Sequence, residues 1–217
     1  MKLLALPLLA FALIAAAPEP PVPAPLPINA PADVVANPAN QLVLQLSNGG
    51  TVVIQMRPDA APNHVARIQQ LVRQGFYDGT IFHRVIPGFM AQGGDPTGTG
   101  EGGSKLPDLK AEFNSLPHLR GTVAAARAES ADSANSQFYI MFAPKQSLDG
   151  NYTVFGRVIS GMDAVDNIAP GEPPASPTKI VHADLGDHSA PPPRPAEVPA
   201  APATPTPATT DGSTPGN

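Results

Sequence analysis

The sequence contains no cysteine and no tryptophan. Without cysteine there is no disulfide, no thiolate metal ligand and no thiol nucleophile, although the redox compartment stays open. Positive charge is scarce: 13 Lys and Arg stand against 18 Asp and Glu, a formal net charge of -5. Nucleic-acid surfaces carry a basic patch, and this balance argues against one. The apolar run at the N-terminus, Leu3 to Ile14, is too short for a stable membrane span, which takes about 20 apolar residues.

Proline, by contrast, is abundant and unevenly placed. Nine of the 29 prolines lie in residues 1–38, seven in 39–169 and thirteen in 170–217. Proline donates nothing to a sheet ladder and breaks helix interiors, so the folded part of the chain is the middle. Residues 18–38 read as a semi-rigid spacer and residues 189–217 as a disordered tail, because neither segment can bury enough apolar surface to offset its ordering entropy. The tail has a second reading, as a proline-rich ligand for a partner domain. Residues 1–17 have the shape of a secretory signal peptide: Lys2, the apolar run, then Ala15 to Ala17. Cleavage is expected near Ala16-Ala17, and cutting after Ala16 keeps clear of Pro18. That points to an exported protein, periplasmic or secreted; retention of the leader as an anchor is the alternative.

Within residues 39–188 the pattern is of short strands. Gln41 to Leu46 and Thr51 to Met56 are joined by Ser-Asn-Gly-Gly, a hairpin signal. Pro62 opens an amphipathic helix with Val65, Ile68, Leu71 and Val72 on one face, and Gly75 stops it. Further strands are expected at 81–86, 89–92, 121–126, 137–142, 153–159 and 178–184, and a second short helix at 161–169. Many short strands with two helices indicate an all-β-dominated barrel or sandwich.

Several motifs carry nothing. Gly98, Gly100 and Gly103 match a dinucleotide-binding spacing, but Asp-Pro-Thr stands directly before them and Pro107 interrupts the segment after them. Gly103-Ser104-Lys105 has the wrong order for a phosphate-binding loop. The five histidines show no metal-ligand spacing, and no nucleophile elbow is present.

One stretch is different. Gly75 to Gly103 reads GFYDGTIFHRVIPGFMAQGGDPTGTGEGG, with a single cation, Arg84, among Phe82, Val85, Ile86, Phe89 and Met90. Gly121 to Arg127 (GTVAAAR), Ser136 to Ile140 (SQFYI) and Leu148 to Val158 (LDGNYTVFGRV) come after it in order. Together these blocks resemble the cyclophilin family of peptidyl-prolyl cis/trans isomerases, over roughly residues 40–187. The resemblance implies an eight-stranded antiparallel closed β-barrel capped by two α-helices, and an enzyme acting as a monomer on proline-containing polypeptides with no cofactor and no metal. It implies catalytic roles for Arg84 and Gln92. Phe89, Met90 and Leu148 would take the proline ring, and His83, Ala126, Arg127, Gln137, Tyr139 and Tyr152 would line the peptide groove. Tyr139 stands where relatives carry phenylalanine, adding a hydroxyl to the pocket. Ser147 replaces a frequent aromatic, which implies weak cyclosporin binding, and Tyr152 replaces a frequent histidine.

The chemistry needs no bond made or broken. The barrier to rotating a peptide bond is about 18–20 kcal/mol because resonance gives it double-bond character. A donor aimed at the proline nitrogen binds the twisted amide better than the planar one, and that difference is catalysis. Arginine suits the task because it stays protonated and offers rigid donors. The alternative is a non-catalytic module that grips proline-containing segments, a role toward which a smaller or wetter pocket at Tyr139 would tip the protein.

Overall fold

The chain first doubles back at Asn48-Gly49. Strand β1 (Gln41–Leu46) pairs antiparallel with β2 (Thr51–Met56), Val43 opposite Val53. Gly49 takes φ 84°, the left-handed conformation that this turn demands, and Asn48 Oδ1 accepts from the Gly50 N–H at 3.1 Å. The computed structural model describes residues 25–192. The remaining strands are β3 (Ile81–Ile86), β4 (Met90–Asp95), β5 (Thr122–Ala125), β6 (Phe138–Met141), β7 (Val154–Ser160) and β8 (Ile180–Leu185). All eight form one antiparallel sheet in the order β3-β4-β6-β5-β7-β2-β1-β8. The two edges curl toward each other and meet at the start of both strands. Ile81 bridges Lys179, the Phe82 N–H donates to Thr178 O at 3.0 Å, and the Ile180 N–H donates to Thr80 O at 2.8 Å. The barrel is thus drawn together at that seam by a few bonds, where its other seams are ladders.

Helix α2 (Pro62–Arg73) begins on its proline and buries Val65, Ile68, Leu71 and Val72 against the barrel interior. Helix α3 (Met162–Asp166) is shorter than the expected 161–169; Asn167 ends it, and the Ala169 N–H donates instead to Thr178 Oγ1 at 3.1 Å.

The N-terminal spacer is not coil throughout. Residues Ala32–Ala36 form one further helix, α1, with Val34 buried, followed by a 3-10 turn at Pro38–Asn40. Arg57, only 3% exposed, reaches this segment and donates to the carbonyls of Pro27 at 3.1 Å and Ile28 at 3.2 Å. Asp59 holds the same guanidinium through both carboxylate oxygens. At the other end the Ala190 N–H donates to Asp184 Oδ1 at 3.1 Å and Arg73 Nε donates to Ser189 Oγ at 3.1 Å. Both flanks therefore dock where they leave the barrel. The expected signal peptide (1–17) and most of the tail (193–217) lie outside the described residues.

The core is double. Inside the barrel, Leu42, Leu44, Ile54, Phe82, Ala91, Val123, Phe138, Ile140 and Phe155 pack with the apolar face of α2. On the outer face of the β4-β6-β5 wall a second group packs: Met90, Leu116, Ala124, Tyr139, Met141 and Val154. Residues alternate between these two groups along each strand, as the pleat requires. Strands β5 and β6 are consequently buried at every position, so their sequences TVAA and FYIM show no apolar-polar alternation.

Candidate active site

The site is assembled by strand register. β3 and β4 pair with a shift between Phe82 and Arg84, so His83 is an extra residue in the ladder. A bulge of this kind re-aims the side chains next to it. Past the bulge, Arg84 lies opposite Gln92, Gln92 opposite Tyr139, and Tyr139 opposite Ala124. Directly opposed residues share a face, so four strands place these side chains in one row on the outer wall.

The row opens into a hollow of about 130 Å³ lined by Arg84, Phe89, Met90, Gln92, Ala126, Arg127, Tyr139, Leu148 and Tyr152. Nine of the eleven residues proposed for the site from sequence meet here. Gln137 lines the adjoining cleft, about 540 Å³, which shares Gln92, Ala126 and Arg127 with the hollow. His83 lines neither. It is 5% exposed, and a Cβ at Gly100 would come within 3.3 Å of its ring. The bulge tucks it beneath the glycine loop. Both its ring nitrogens are buried with no hydrogen-bond partner among the described residues, and burial holds its pKa below the ordinary value, with Arg84 adding to the effect and Asp95 opposing it.

Arg84 is not the buried charge that its apolar neighbours suggest. Its side chain is 42% exposed, because the neighbours Phe82 and Val85 turn into the barrel while Arg84 turns out to the rim. Its Nε donates to Glu172 Oε2 at 2.7 Å. Gln92 is fixed through its amide: Nε2 donates to Gln137 Oε1 at 2.9 Å, and Gln137 Nε2 donates to the carbonyls of Gly100 and Gly102 at 2.9 and 2.8 Å. That chain of donors uses one N–H of the Gln92 amide, and no hydrogen bond among the described residues engages its Oε1. The glycine loop itself is tied to Asp95, which accepts from the N–H groups of Thr97, Gly100 and Gly102. Burial alone would raise the Asp95 pKa; these bonds outweigh it and hold the carboxyl at about 2.

The hydroxyl of Tyr139 does not wet the pocket. Tyr139 is 5% exposed and its Oη lies 3.0 Å from His118 Nε2, while His118 Nδ1 lies 2.9 Å from Asp149 Oδ1. A carboxylate only accepts, so Nδ1 carries the proton, Nε2 is the acceptor, and the tyrosine hydroxyl is the donor. Burial keeps His118 below its ordinary pKa against the pull of Asp149, which favours this neutral arrangement. The ring face of Tyr139 is left to the hollow. Tyr152 stands edge-on to it at 5.8 Å between centroids and carries the Arg127 guanidinium 4.7 Å above its own ring.

His118, Asp149 and Glu172 are the site residues that sequence reasoning missed. His118 lies in a loop, and Asp149 stands inside the LDG block with nothing to single it out. Glu172 sits in the proline-rich stretch PGEPPASP, where no periodicity marks an inward residue.

The hollow lies on the flank of the barrel, with Arg84 at its lip. The chain belongs to the cyclophilin-type peptidyl-prolyl cis-trans isomerase family, whose family model matches residues 42–185. A probable peptidyl-prolyl cis-trans isomerase of Brucella suis is 49% identical over 166 residues, 69% of this chain and 84% of that protein. Peptidyl-prolyl cis-trans isomerase B of Bacillus subtilis is 42% identical over 128 residues, 58% of this chain and 89% of that protein. Among solved structures, a cyclophilin from Hirschia baltica aligns with a TM-score of 0.64 at 31% identity, covering 69% of this chain and 74% of that one. A cyclophilin-type isomerase of Cryptosporidium parvum, crystallised in the presence of the dipeptide Ala-Pro, aligns with a TM-score of 0.62 at 28% identity, covering 67% of this chain and 98% of that one.

The buried polar groups lead to two expected outcomes. Tyr139→Phe strands His118 Nε2 without its donor and should cost about 1–3 kcal/mol of unfolding free energy in a urea titration; unchanged or increased stability would refute the assigned bond. The second concerns acid. His64, His83 and His118 all have pKa values below 6.5, and burial is the leading cause for each. The unfolded chain therefore binds protons at these sites first, and the stability they contribute is complete above about pH 6.5 and lost as pH falls below it. The carboxyls of Asp95 and Glu112 are held low, so their contribution is lost only at lower pH, from about 4 downward. Thermal denaturation should show a plateau above pH 7 and a decline that sets in below about 6.5; a midpoint flat down to pH 4.5 would contradict this.

Proposed function

We propose that Arg84 is the group that favours the twisted amide in this peptidyl-prolyl isomerase, and that Gln92 sets the geometry of the bound substrate beside it. The observation that carries the assignment is their common placement: Arg84 and Gln92 line the same small hollow as Phe89, Met90 and Leu148. The proline ring would seat among those three apolar side chains, with Tyr139 as the floor. The residue before proline would cross toward Ala126 and Arg127. With the ring pinned, rotation is confined to the preceding carbonyl. As the amide twists, conjugation is lost and the proline nitrogen gains a lone pair. A guanidinium N–H aimed at that nitrogen gains a hydrogen bond that the planar amide cannot form. The Oε1 of Gln92 is placed to accept from the substrate backbone.

Arg84 stands at the rim with 42% of its side chain exposed. In the free enzyme water solvates the guanidinium, so the low dielectric that strengthens a charge-assisted bond must come with the substrate, whose ring and chain cover the rim. A hydrogen bond to a charged group contributes about 1.5–3 kcal/mol, which corresponds to about 10–150-fold in rate. Holding the ring and excluding water supply the remainder. The non-catalytic alternative drew its support from the Tyr139 hydroxyl, and that hydroxyl is bonded away from the hollow.

In a prolyl-peptide isomerisation assay, Arg84→Ala should lower kcat/KM by at least about tenfold while proline-peptide binding persists. A variant with wild-type turnover would remove Arg84 from the mechanism.

The Lys2-to-Ala17 leader further supports a protein exported to the periplasm or medium, acting as a monomer on other exported chains whose Xaa-Pro bonds await isomerisation. No helix among the described residues is long and apolar enough to cross a membrane. Mass spectrometry of the protein from a fractionated bacterial host should find a mature N-terminus near residue 17 in the envelope or medium; an intact leader on cytosolic protein would refute export.

A further inference from the structure

Glu172 is the one carboxylate in contact with Arg84 among the described residues, and the backbone is arranged to keep it there. The loop after α3 crosses the end of β3 at one point. There the Val85 N–H donates to Gly171 O at 2.8 Å and the Gly171 N–H donates to Val85 O at 2.9 Å. Val85 follows Arg84 and Gly171 precedes Glu172, so this pair of bonds sets the two charged residues side by side from segments 88 residues apart. A Cβ at Gly171 would crowd Pro174, which shows how closely the loop folds on itself behind the contact. The carboxylate takes the Nε edge of the guanidinium at 2.7 Å. No hydrogen bond within the described residues engages Nη1 or Nη2, and Arg84 is at the same time part of the hollow's lining.

The geometry points to Glu172 as a positioning residue for isomerisation: it grips Arg84 by Nε and thereby presents the Nη edge to the proline nitrogen. This rests on the reading that Arg84 does the chemistry. An arginine at a rim, with 42% of its side chain exposed, has many rotamers open to it, and only those with the fork toward the hollow are productive. The guanidinium is planar and rigid, so fixing one edge fixes the opposite edge. An exposed ion pair of this kind contributes little to folding stability. That separates the two roles: loss of Glu172 should leave stability alone and act on turnover. Proline peptides are held chiefly by the apolar hollow, so ground-state binding should hardly notice the loss, whereas alignment counts in the transition state.

The test uses the full chain and one proline tetrapeptide, with kcat and KM separated by line-shape or saturation kinetics. Glu172→Ala should lower kcat about tenfold, below the hundredfold that an ångström of misplacement can cost. KM should stay within about twofold, as expected when an interaction made only in the transition state is removed, and the thermal midpoint should match wild type. Glu172→Gln keeps an oxygen that accepts from Nε and should recover most of kcat. In 15N spectra the Arg84 Nε–H resonance should move in the alanine variant and return toward its wild-type position in the glutamine variant. Wild-type kcat in Glu172→Ala overturns the proposal. So does a loss of kcat accompanied by a fallen midpoint, or one that glutamine fails to recover. Arg84→Ala is run in parallel. If it keeps full activity, the reading of Arg84 itself has failed. If it is inactive while Glu172→Ala is normal, only the positioning role has failed. Adding Glu172→Ala to Arg84→Ala should cost nothing further.

Discussion

The registration of β4 between β3 and β6 is the constraint on which this protein depends. It aligns Arg84, Gln92, Tyr139 and Ala124 across four strands. Side chains alternate with a period of two, so a slip of β4 by one residue would send Met90 and Gln92 into the barrel interior and bring Ala91 out. Such a slip would exchange two cores at once, because the wall is packed on both faces. The interior group fixes the register, and Met90 and Tyr139 of the outer group line the hollow. The interior core and the floor of the hollow are thus two faces of the same three strands.

Much of this was legible in the sequence. The hairpin at Asn48-Gly49, the face of α2 and the eight strands arise from turn chemistry and periodicity, with boundaries off by a residue or two except at the end of β4, which runs three residues further. The identity of the hollow was legible too, through blocks that resemble a known family rather than through any property of the residues themselves. What periodicity could not supply was anything depending on which strand lies beside which. β4 pairs with β6, not with its neighbour β5, so the row from Arg84 to Ala124 has no linear signature. Nor has the bond from Tyr139 to His118. A hydroxyl added to a pocket reads as a polar intrusion until its partner on the far side is seen.

The reading of Arg84 as a charge surrounded by apolar residues failed for an instructive reason. Composition counts neighbours along the chain, whereas a strand sends them to opposite sides. Phe82 and Val85 belong to the interior, and the bulge at His83 resets the alternation just before Arg84. The helix at Ala32–Ala36 was hidden for a different reason. The prolines around it describe the chain's stiffness, but the single buried Val34 and the reach of Arg57 decide that this piece is docked.

The glycine loop that lines the larger cleft is held from both sides, its amides by Asp95 and its carbonyls by Gln137. A side chain at Gly102 would collide with Asp95. That stretch of the cleft wall is therefore largely main chain, which mutation can scarcely retexture. Side-chain variation in the larger cleft is left instead to its outer margin, to residues such as Glu101, Asp108 and Ser133, at a remove from Arg84 and the hollow it lines.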